Sequence, residues 1–217
     1  MKRILIYGDS NSWGYPCDGI KSRLLDRWPV VMARDLPNVE VIEENLPGRT
    51  TVHDDAEHLG ESNNGLRFLE TALRSHAPLD AVILFLGTND LKSHITPDAR
   101  VIADNLGRLV QRIRDVGGKS EVWDDPTAPS VFLFVPPPLS KRTDDPIWDR
   151  CSEWQGARAA SHGLAEAFKE VATDLKAPLF DSEPFVEGGQ DDPIHWTTSS
   201  HVRFGQAAAK WVSLQEF

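Results

Sequence analysis

The sequence contains little cysteine and no long apolar run. Of its 217 residues, only Cys17 and Cys151 are cysteines. Their separation fits no metal-binding motif, so we expect free thiols rather than a disulfide. A membrane span needs roughly 18 consecutive apolar residues, and no run approaches that length. The basic start, Met1-Lys2-Arg3, leads directly into an apolar segment and leaves no room for a signal region. These absences predict a cytoplasmic protein without a membrane partner.

Basic residues are also in short supply. The chain has 23 Lys and Arg against 33 Asp and Glu, a formal net charge of -10 at pH 7. Such a chain repels a nucleic-acid backbone unless a local basic patch intervenes, and the sequence contains no such patch. We therefore expect no nucleic-acid partner. With 40% hydrophobic residues and no linker-like stretch, residues 1–217 are predicted to form one domain.

Five short apolar runs alternate with segments of helical periodicity. The predicted strands are residues 4–7, 39–42, 81–86, 131–135 and 178–180. Buried runs of this kind are typical of parallel sheets. The alternation predicts an α/β protein with a three-layer α/β/α flavodoxin-like fold, whose five-stranded parallel sheet has the strand order 2-1-3-4-5.

Helix-start signals precede two of the predicted helices. Asn64 is placed to cap the helix that begins near Leu66. Thr96-Pro97-Asp98 is predicted to open the next helix, with Thr96 as its capping hydroxyl and Pro97 in its first turn. Val101 is assigned to the buried stripe of that helix. The polar segment 119–129 is predicted to be a loop.

Polar, glycine-bearing loops follow the first three strands, and a fourth polar loop precedes the last helix. These four blocks are Gly8-Asp9-Ser10-Asn11, Asn45 to Gly48, Gly87-Thr88-Asn89-Asp90 and Asp192-Pro193-Ile194-His195. Strand ends in a parallel sheet meet at one edge, where open α/β folds bind their ligands. Ser10 is therefore a candidate nucleophile; the alternative is an ordinary turn rich in turn-forming residues.

In this order the four blocks resemble the Ser-Gly-Asn-His (SGNH) hydrolases, also called the GDSL esterase family. The opening GDSNSWG, the GTND followed by Leu91-Lys92, and the late D-x-I-H-W-T are most similar to the bacterial arylesterase and acyltransferase branch. Asn11 departs from the family pattern, in which Leu is usual, and we expect it to affect loop packing rather than chemistry. The resemblance implies an oxyanion hole formed by the Ser10 and Gly48 backbone N–H groups and the Asn89 amide.

The remaining roles follow from what ester cleavage requires. A serine hydroxyl needs a base, and His195 is the only late histidine preceded by a suitably placed acid. Asp192 is predicted to orient that imidazole; Asp191 is a rival whose spacing is one residue too long for the family pattern. Asp9 and Asp90 are predicted to hold loop backbone N–H groups rather than to react.

Five residues that lie in or close to these blocks in sequence are assigned to the substrate pocket. They are Asn11, Trp13, Lys92, Ile194 and Trp196. Trp13 and Trp196 are predicted to form an indole wall for an acyl or aryl group; the alternative is that they are core residues. The acidic and histidine-containing stretch 53–58 resembles a metal cluster in composition, but its two histidines are five apart, and we predict a solvated loop.

The sequence thus predicts a serine esterase for small aryl or short-chain acyl esters, with acyl transfer to alcohols as a competing reaction. We expect neither a metal nor an organic cofactor. The resemblance implies a homo-oligomer, with residues 143–154 as a candidate contact. Two alternatives stay open: a carbohydrate O-deacetylase with the same triad, and a non-catalytic nucleotide- or flavin-binding module. The second lacks the glycine-rich phosphate-binding loop that such modules use.

Overall fold

The computed structural model describes residues 1–20, 22–118 and 127–217. Five parallel strands form one sheet in the order β2-β1-β3-β4-β5, which confirms the predicted α/β fold and strand order. The strands are β1 Lys2–Gly8, β2 Val39–Asn45, β3 Ala81–Phe85, β4 Ser130–Val135 and β5 Leu179–Asp181. The predicted loop at 119–129 falls largely on residues 119–126, which lie outside the described residues.

Helices cover both faces of the sheet. They are α1 Ser10–Trp13, α2 Trp28–Asp35, α3 Gly65–His76, α4 Ala99–Val116, α5 Ala157–Ser161, α6 Leu164–Leu175 and α7 Thr198–Val212. Asn64 caps α3 as predicted, since its side chain accepts the Arg67 N–H. In the described part of the chain, no helix combines the length and the apolar character needed to cross a membrane.

The start of α4 differs from the prediction. Asp98, rather than Thr96, is the N-cap, and its carboxylate accepts the N–H groups of Arg100 and Val101. Pro97 therefore precedes the helix instead of standing in its first turn. Val101 is 41% exposed because the buried stripe begins at Ile102 and repeats at three and four residues, which turns Val101 towards solvent.

Alternate residues of the central strands point to opposite faces, as a pleated strand requires. Leu5, Tyr7, Val82 and Leu84 pack under α3, α4 and α6, whereas Ile4, Ile6, Ile83 and Phe85 pack under α2 and α7. The sheet is therefore buried on both sides, and only its ends remain available for a ligand.

The register of β1 determines which loops meet at the carboxyl end of the sheet. Gly8 pairs with Asn45 of β2 on one side and with Phe85 of β3 on the other. The loops that follow these three strands consequently leave the sheet side by side. A Cβ at Gly8 would stand 2.8 Å from Asn45 Oδ1, so this close approach requires glycine.

Candidate active site

Ser10, His195 and Asp192 form a continuous chain of hydrogen bonds. Ser10 begins α1, directly after the loop that leaves β1, and its Oγ lies 2.9 Å from His195 Nε2. His195 Nδ1 lies 2.6 Å from Asp192 Oδ2. With Nδ1 donating to the carboxylate, Nε2 is free to accept the serine proton. The structure thus brings together the three residues that the sequence assigns to proton transfer.

The local fold of residues 192–195 keeps Asp192 ionised and correctly turned. Its Oδ1 accepts the backbone N–H groups of Ile194 and His195 at 3.0 and 3.2 Å. Burial alone would raise the pKa of Asp192, but the hydrogen bond and charge of His195, with these two N–H groups, lower it below its usual value. The rival carboxylate, Asp191, is exposed.

Asn11 fixes the backbone on both sides of His195. Its Nδ2 donates to Ile194 O at 3.2 Å, and its Oδ1 accepts the Trp196 N–H at 3.2 Å. The side chain is 3% exposed and does not line the cavity described below. Asn11 therefore packs between loops, and its assignment to the substrate pocket is corrected.

Gly48 and Asn89 face Ser10 across the same cavity. Gly48 has a φ of 83°, and a Cβ at this position would stand 2.7 Å from Asn63 Nδ2, so both the backbone angle and the space favour glycine. Asn89 opens a single 3-10 turn after β3. Its Nδ2 donates to Arg49 O at 3.1 Å, which sets the orientation of the amide.

Two buried aspartates hold the loops that carry these groups. Asp9 accepts the Asn11 N–H at 3.0 Å, and burial raises its pKa to about 7. Asp90 accepts the Thr51 N–H with both oxygens, at 2.9 and 3.1 Å, together with the Thr51 hydroxyl. Burial also raises the pKa of Asp90. Neither residue lines the cavity, in agreement with the structural role that the sequence predicts.

A cavity of about 450 Å³ opens above Ser10. It is lined by Ser10, Tyr15, Pro47, Gly48, His58, Leu59, Asn63, Asn89, Lys92, Arg150, Trp154, Ile194 and His195. Of the five residues assigned to the pocket from sequence, Lys92 and Ile194 lie here. Trp13 and Trp196, like Asn11, do not.

Trp13 and Trp196, which were predicted to line the pocket, pack elsewhere in the structure. Trp196 is 2% exposed and packs in the core, with its ring 5.7 Å from Phe85 and 5.2 Å from Phe204. Trp13 lies under the Arg23 guanidinium at 5.1 Å. Adjacency in sequence was a poor guide because successive residues of a helix or loop point in different directions. Tyr15 occupies the place predicted for Trp13 and stacks on His195 at 4.3 Å.

Two residues of the candidate contact 143–154, Arg150 and Trp154, line the cavity. Trp148 is 7% and Trp154 is 1% exposed, so the indoles that suggested an intersubunit contact are buried within this chain. Arg150 lies beside both rings, 5.8 to 5.9 Å from their centres. Tyr15, Arg150 and Trp154 line the cavity but were not predicted from the sequence; the available signal was an arginine between two tryptophans, at 148–154.

The stretch 53–58 is not a solvated loop throughout. Asp55 is fully buried and accepts hydrogen bonds from Lys92 Nζ at 2.7 Å and His94 Nε2 at 2.9 Å. Burial alone would raise the pKa of Asp55, but these two partners lower it. Lys92, assigned to the pocket from sequence, forms its shortest ion pair with this carboxylate. No group of three or more side chains suited to a metal occurs in the residues that the structure describes.

His201, the other late histidine, lies outside this arrangement. It is fully buried in α7, and its Nδ1 accepts the Trp28 N–H at 3.3 Å. Burial lowers its pKa to about 3, so the ring is neutral, and it does not line the cavity. His195 is therefore the imidazole placed to act on Ser10.

Solved structures with this architecture cover almost the whole chain. An aryl esterase from M. smegmatis is 34% identical, with 98% of this chain and 99% of that chain covered and a TM-score of 0.85. Est24, a carbohydrate acetylesterase from Sinorhizobium meliloti, is 33% identical over the same shares with a TM-score of 0.86. A putative arylesterase from Agrobacterium tumefaciens is 32% identical, again over 98% and 99%, with a TM-score of 0.82. No curated protein matches significantly.

The four sequence blocks, the strand order and the cavity thus occur together in one chain. The sequence model of the GDSL-like lipase/acylhydrolase family matches residues 6–207, a span that contains every block, the end of β1 and the whole of the other four strands. The chain belongs to this family, the SGNH hydrolases.

Proposed function

We propose that this protein is a serine esterase that cleaves small acyl esters through an acyl-enzyme on Ser10. The observation that carries the proposal is the uninterrupted contact from Ser10 Oγ to His195 Nε2 at 2.9 Å and from His195 Nδ1 to Asp192 at 2.6 Å, at the floor of a cavity. Membership of a family of acylhydrolases agrees with it.

In the proposed mechanism Ser10 Oγ attacks the ester carbonyl while His195 Nε2 takes the hydroxyl proton. Asp192 stabilises the imidazolium that forms. The carbonyl oxygen gains the negative charge and is bound by the Ser10 and Gly48 N–H groups and the Asn89 amide, a set of donors that typically contributes ~100- to 1,000-fold each. His195 then gives its proton to the departing alcohol. Water, activated by the same imidazole, releases the acid and restores Ser10.

Two substrate classes are supported by specific observations. The apolar part of the lining, formed by Tyr15, Leu59 and Trp154, suits an aryl or short acyl group. The polar part, with Asn63 among its members, suits the hydroxyl groups of an acetylated sugar, and Est24 is a carbohydrate acetylesterase. We favour the aryl and short-chain esters and retain O-deacetylation as the second candidate.

Acyl transfer to an alcohol is proposed as a competing fate of the acyl-enzyme. The two indoles that suggested an alcohol site do not line the cavity, so the proposal now depends on Trp154 and Leu59. Incubating an aryl ester with excess alcohol measures it directly: a new ester is expected, and free acid alone would contradict it. Cytoplasmic location and homo-oligomeric assembly stay predictions.

The decisive experiment is fluorophosphonate labelling, with the modified residue located by mass spectrometry. We expect labelling at Ser10, loss of labelling and of aryl-ester hydrolysis in Ser10→Ala, and no change in the matched control Ser22→Ala, which alters an exposed serine. Esters of graded chain length and an acetylated saccharide then separate the two substrate classes. A protein that resists labelling and carries flavin absorbance would instead be the non-catalytic binding module.

A further inference from the structure

The wall of the cavity facing Ser10 carries an unusual charge distribution for an acidic protein. The chain has 33 acidic residues, yet none of the residues that line the cavity in the described part of the chain is Asp or Glu. His58, Lys92 and Arg150 lie in the lining instead. This side of the cavity therefore presents proton donors and positive charge.

The carboxylates that balance these charges lie behind the wall. Glu153 accepts a hydrogen bond from His58 Nε2 at 2.9 Å and lies 3.7 Å from Lys92 Nζ. Asp55 is fully buried against Lys92. Since the acids stand on the protein side and the cations on the cavity side, the cluster directs its positive end towards a bound molecule.

Arg150 is the residue of this wall whose N–H donors are only partly used within the chain. Its Nε and Nη2 donate to the two oxygens of Glu153 at 2.9 and 3.2 Å, which uses two of the five N–H groups of a guanidinium. Among the described residues, the other three make no hydrogen bond within the chain. The side chain is 36% exposed, and contact with the rings of Trp148 and Trp154 restrains it.

We propose that Arg150 is the centre of an anion-binding wall and that the preferred ester carries a carboxylate, which the free edge of this guanidinium binds. The inference rests on the proposed function, because it assumes that an ester in this cavity reacts with Ser10. A fixed guanidinium edge matches the geometry of a carboxylate, and less conformational freedom is lost per hydrogen bond when the fork is already held.

Arg150 lines the same cavity as Ser10 and His195. Its charge interacts favourably with that of Asp192, the residue that holds His195. A carboxylate bound here would be attached either to the alcohol or to the acyl part of the ester, and the two cases share one chemistry. The test therefore has one arm for each.

The experiment compares matched charged and neutral esters. The alcohol arm uses meta-carboxyphenyl acetate against meta-carbamoylphenyl acetate, and the acyl arm uses para-nitrophenyl hydrogen adipate against the corresponding adipamate. We expect kcat/KM, corrected for uncatalysed hydrolysis, to favour the carboxylate roughly tenfold in at least one arm, the lower end for a hydrogen bond to a charged group at a partly exposed site. The preference is expected to shrink as salt rises from about 0.05 to 0.5 M.

Three variants separate binding of the anion from a purely structural role. Arg150→Gln is expected to bring the charged-to-neutral ratios of kcat/KM in the two arms to about one, and Arg150→Lys is expected to retain part of the preference. Arg34→Gln, which removes an exposed arginine outside the cavity, is the matched control and should change neither ratio. Equal rates within both pairs, or a preference that survives Arg150→Gln, would overturn the proposal.

A binding measurement keeps this test independent of catalysis. In Ser10→Ala, calorimetry should show that meta-hydroxybenzoate or adipate binds more tightly than its neutral amide, and Arg150→Gln in that background should remove the difference. If Ser10 is not labelled by a fluorophosphonate but the anion still binds, the proposed esterase function is contradicted and the proposed anion-binding role of Arg150 is supported. If Ser10 is labelled and neither anion is preferred in rate or binding, the anion-binding role of Arg150 is contradicted and the proposed esterase function is supported.

Discussion

Replacing Lys92 by Met tests whether the buried charge pair behind the cavity stabilises the fold. The Lys92 side chain is 2% exposed and that of Asp55 is fully buried, with 2.7 Å between Nζ and Oδ2. Met fills a similar volume but leaves the Asp55 carboxylate with His94 as its remaining side-chain partner within 3 Å. The variant therefore isolates the loss of one charge.

The expected loss is large because the surviving carboxylate stays buried. Removing one partner of a buried ion pair lowers the free energy of unfolding by about 3–5 kcal/mol. For a chain of this length such a loss lowers Tm by roughly 10 °C.

Urea unfolding of a double-mutant cycle provides the assay. Lys92→Met, Asp55→Asn and the double variant are compared with the original chain, and Lys2→Met, which breaks an ion pair with a half-exposed lysine, is the control with an expected loss below about 1 kcal/mol. We expect a coupling free energy of at least about 2 kcal/mol between the two buried sites. Losses that add within about 0.5 kcal/mol would refute the reasoning.

The pH dependence of the unfolding free energy of Lys92→Met provides a second test. Lys92 and His94 lower the pKa of Asp55 despite its burial, so the stability it contributes is present above its unfolded pKa and is lost as pH falls through the folded one. Without Lys92, burial dominates and the folded pKa rises, which makes acid relatively stabilising. The difference in unfolding free energy between the two proteins should therefore narrow from pH 7 to about pH 4; a constant gap would contradict this.

Three further predictions concern the site itself. Gly48→Ala forces a Cβ towards Asn63 and displaces the proposed N–H donor, so kcat should fall ~100-fold, measured on an aryl ester. Asn11→Leu removes both hydrogen bonds that flank His195, and we expect a roughly tenfold lower kcat with little change in KM. Burial raises the pKa of Asp9 to about 7. The part of the unfolding free energy that depends on Asp9 is therefore favourable below the unfolded pKa of this group, and it falls by up to about 4 kcal/mol as pH rises towards 7. Asp9→Asn should flatten this decline in urea unfolding between pH 5 and about pH 8; an unchanged decline would contradict it.

The sequence predicted the sheet and the blocks at its edge because both depend on local signals. The run at 81–85 is apolar without interruption, and the structure buries all of it in the middle of the sheet. Gly8-Asp9-Ser10 follows β1 directly, so the position of Ser10 depends on the strand end and on little else. The meeting of Ser10 with His195, 185 residues apart, was predictable from the need of a serine for a base, the acid three residues before His195 and the resemblance.

The cavity wall was not predictable in the same way, because its side chains depend on contacts between distant segments. Asp55 was predicted to lie in a solvated acidic stretch. Its burial is explained by the hydrogen bond from Lys92, which is 37 residues later in the sequence. Trp196 lies beside His195 in sequence, yet its ring enters the core and packs against Phe85 and Phe204. Composition and spacing contain no information on such directions.

Two separate sets of contacts hold the reacting groups and the wall, and this separation has a consequence for specificity. Ser10 and Asn11 stand on the same turn of α1, and the Asn11 amide binds the backbone on both sides of His195. The nucleophile and the base are thus positioned by one short element, without any contact from residues 148–154 in this chain of hydrogen bonds. The wall is held by Glu153 and Asp55. Because the two sets share no hydrogen bond, substitutions in the wall should change which ester is cleaved while the distance from Ser10 Oγ to His195 Nε2 is kept.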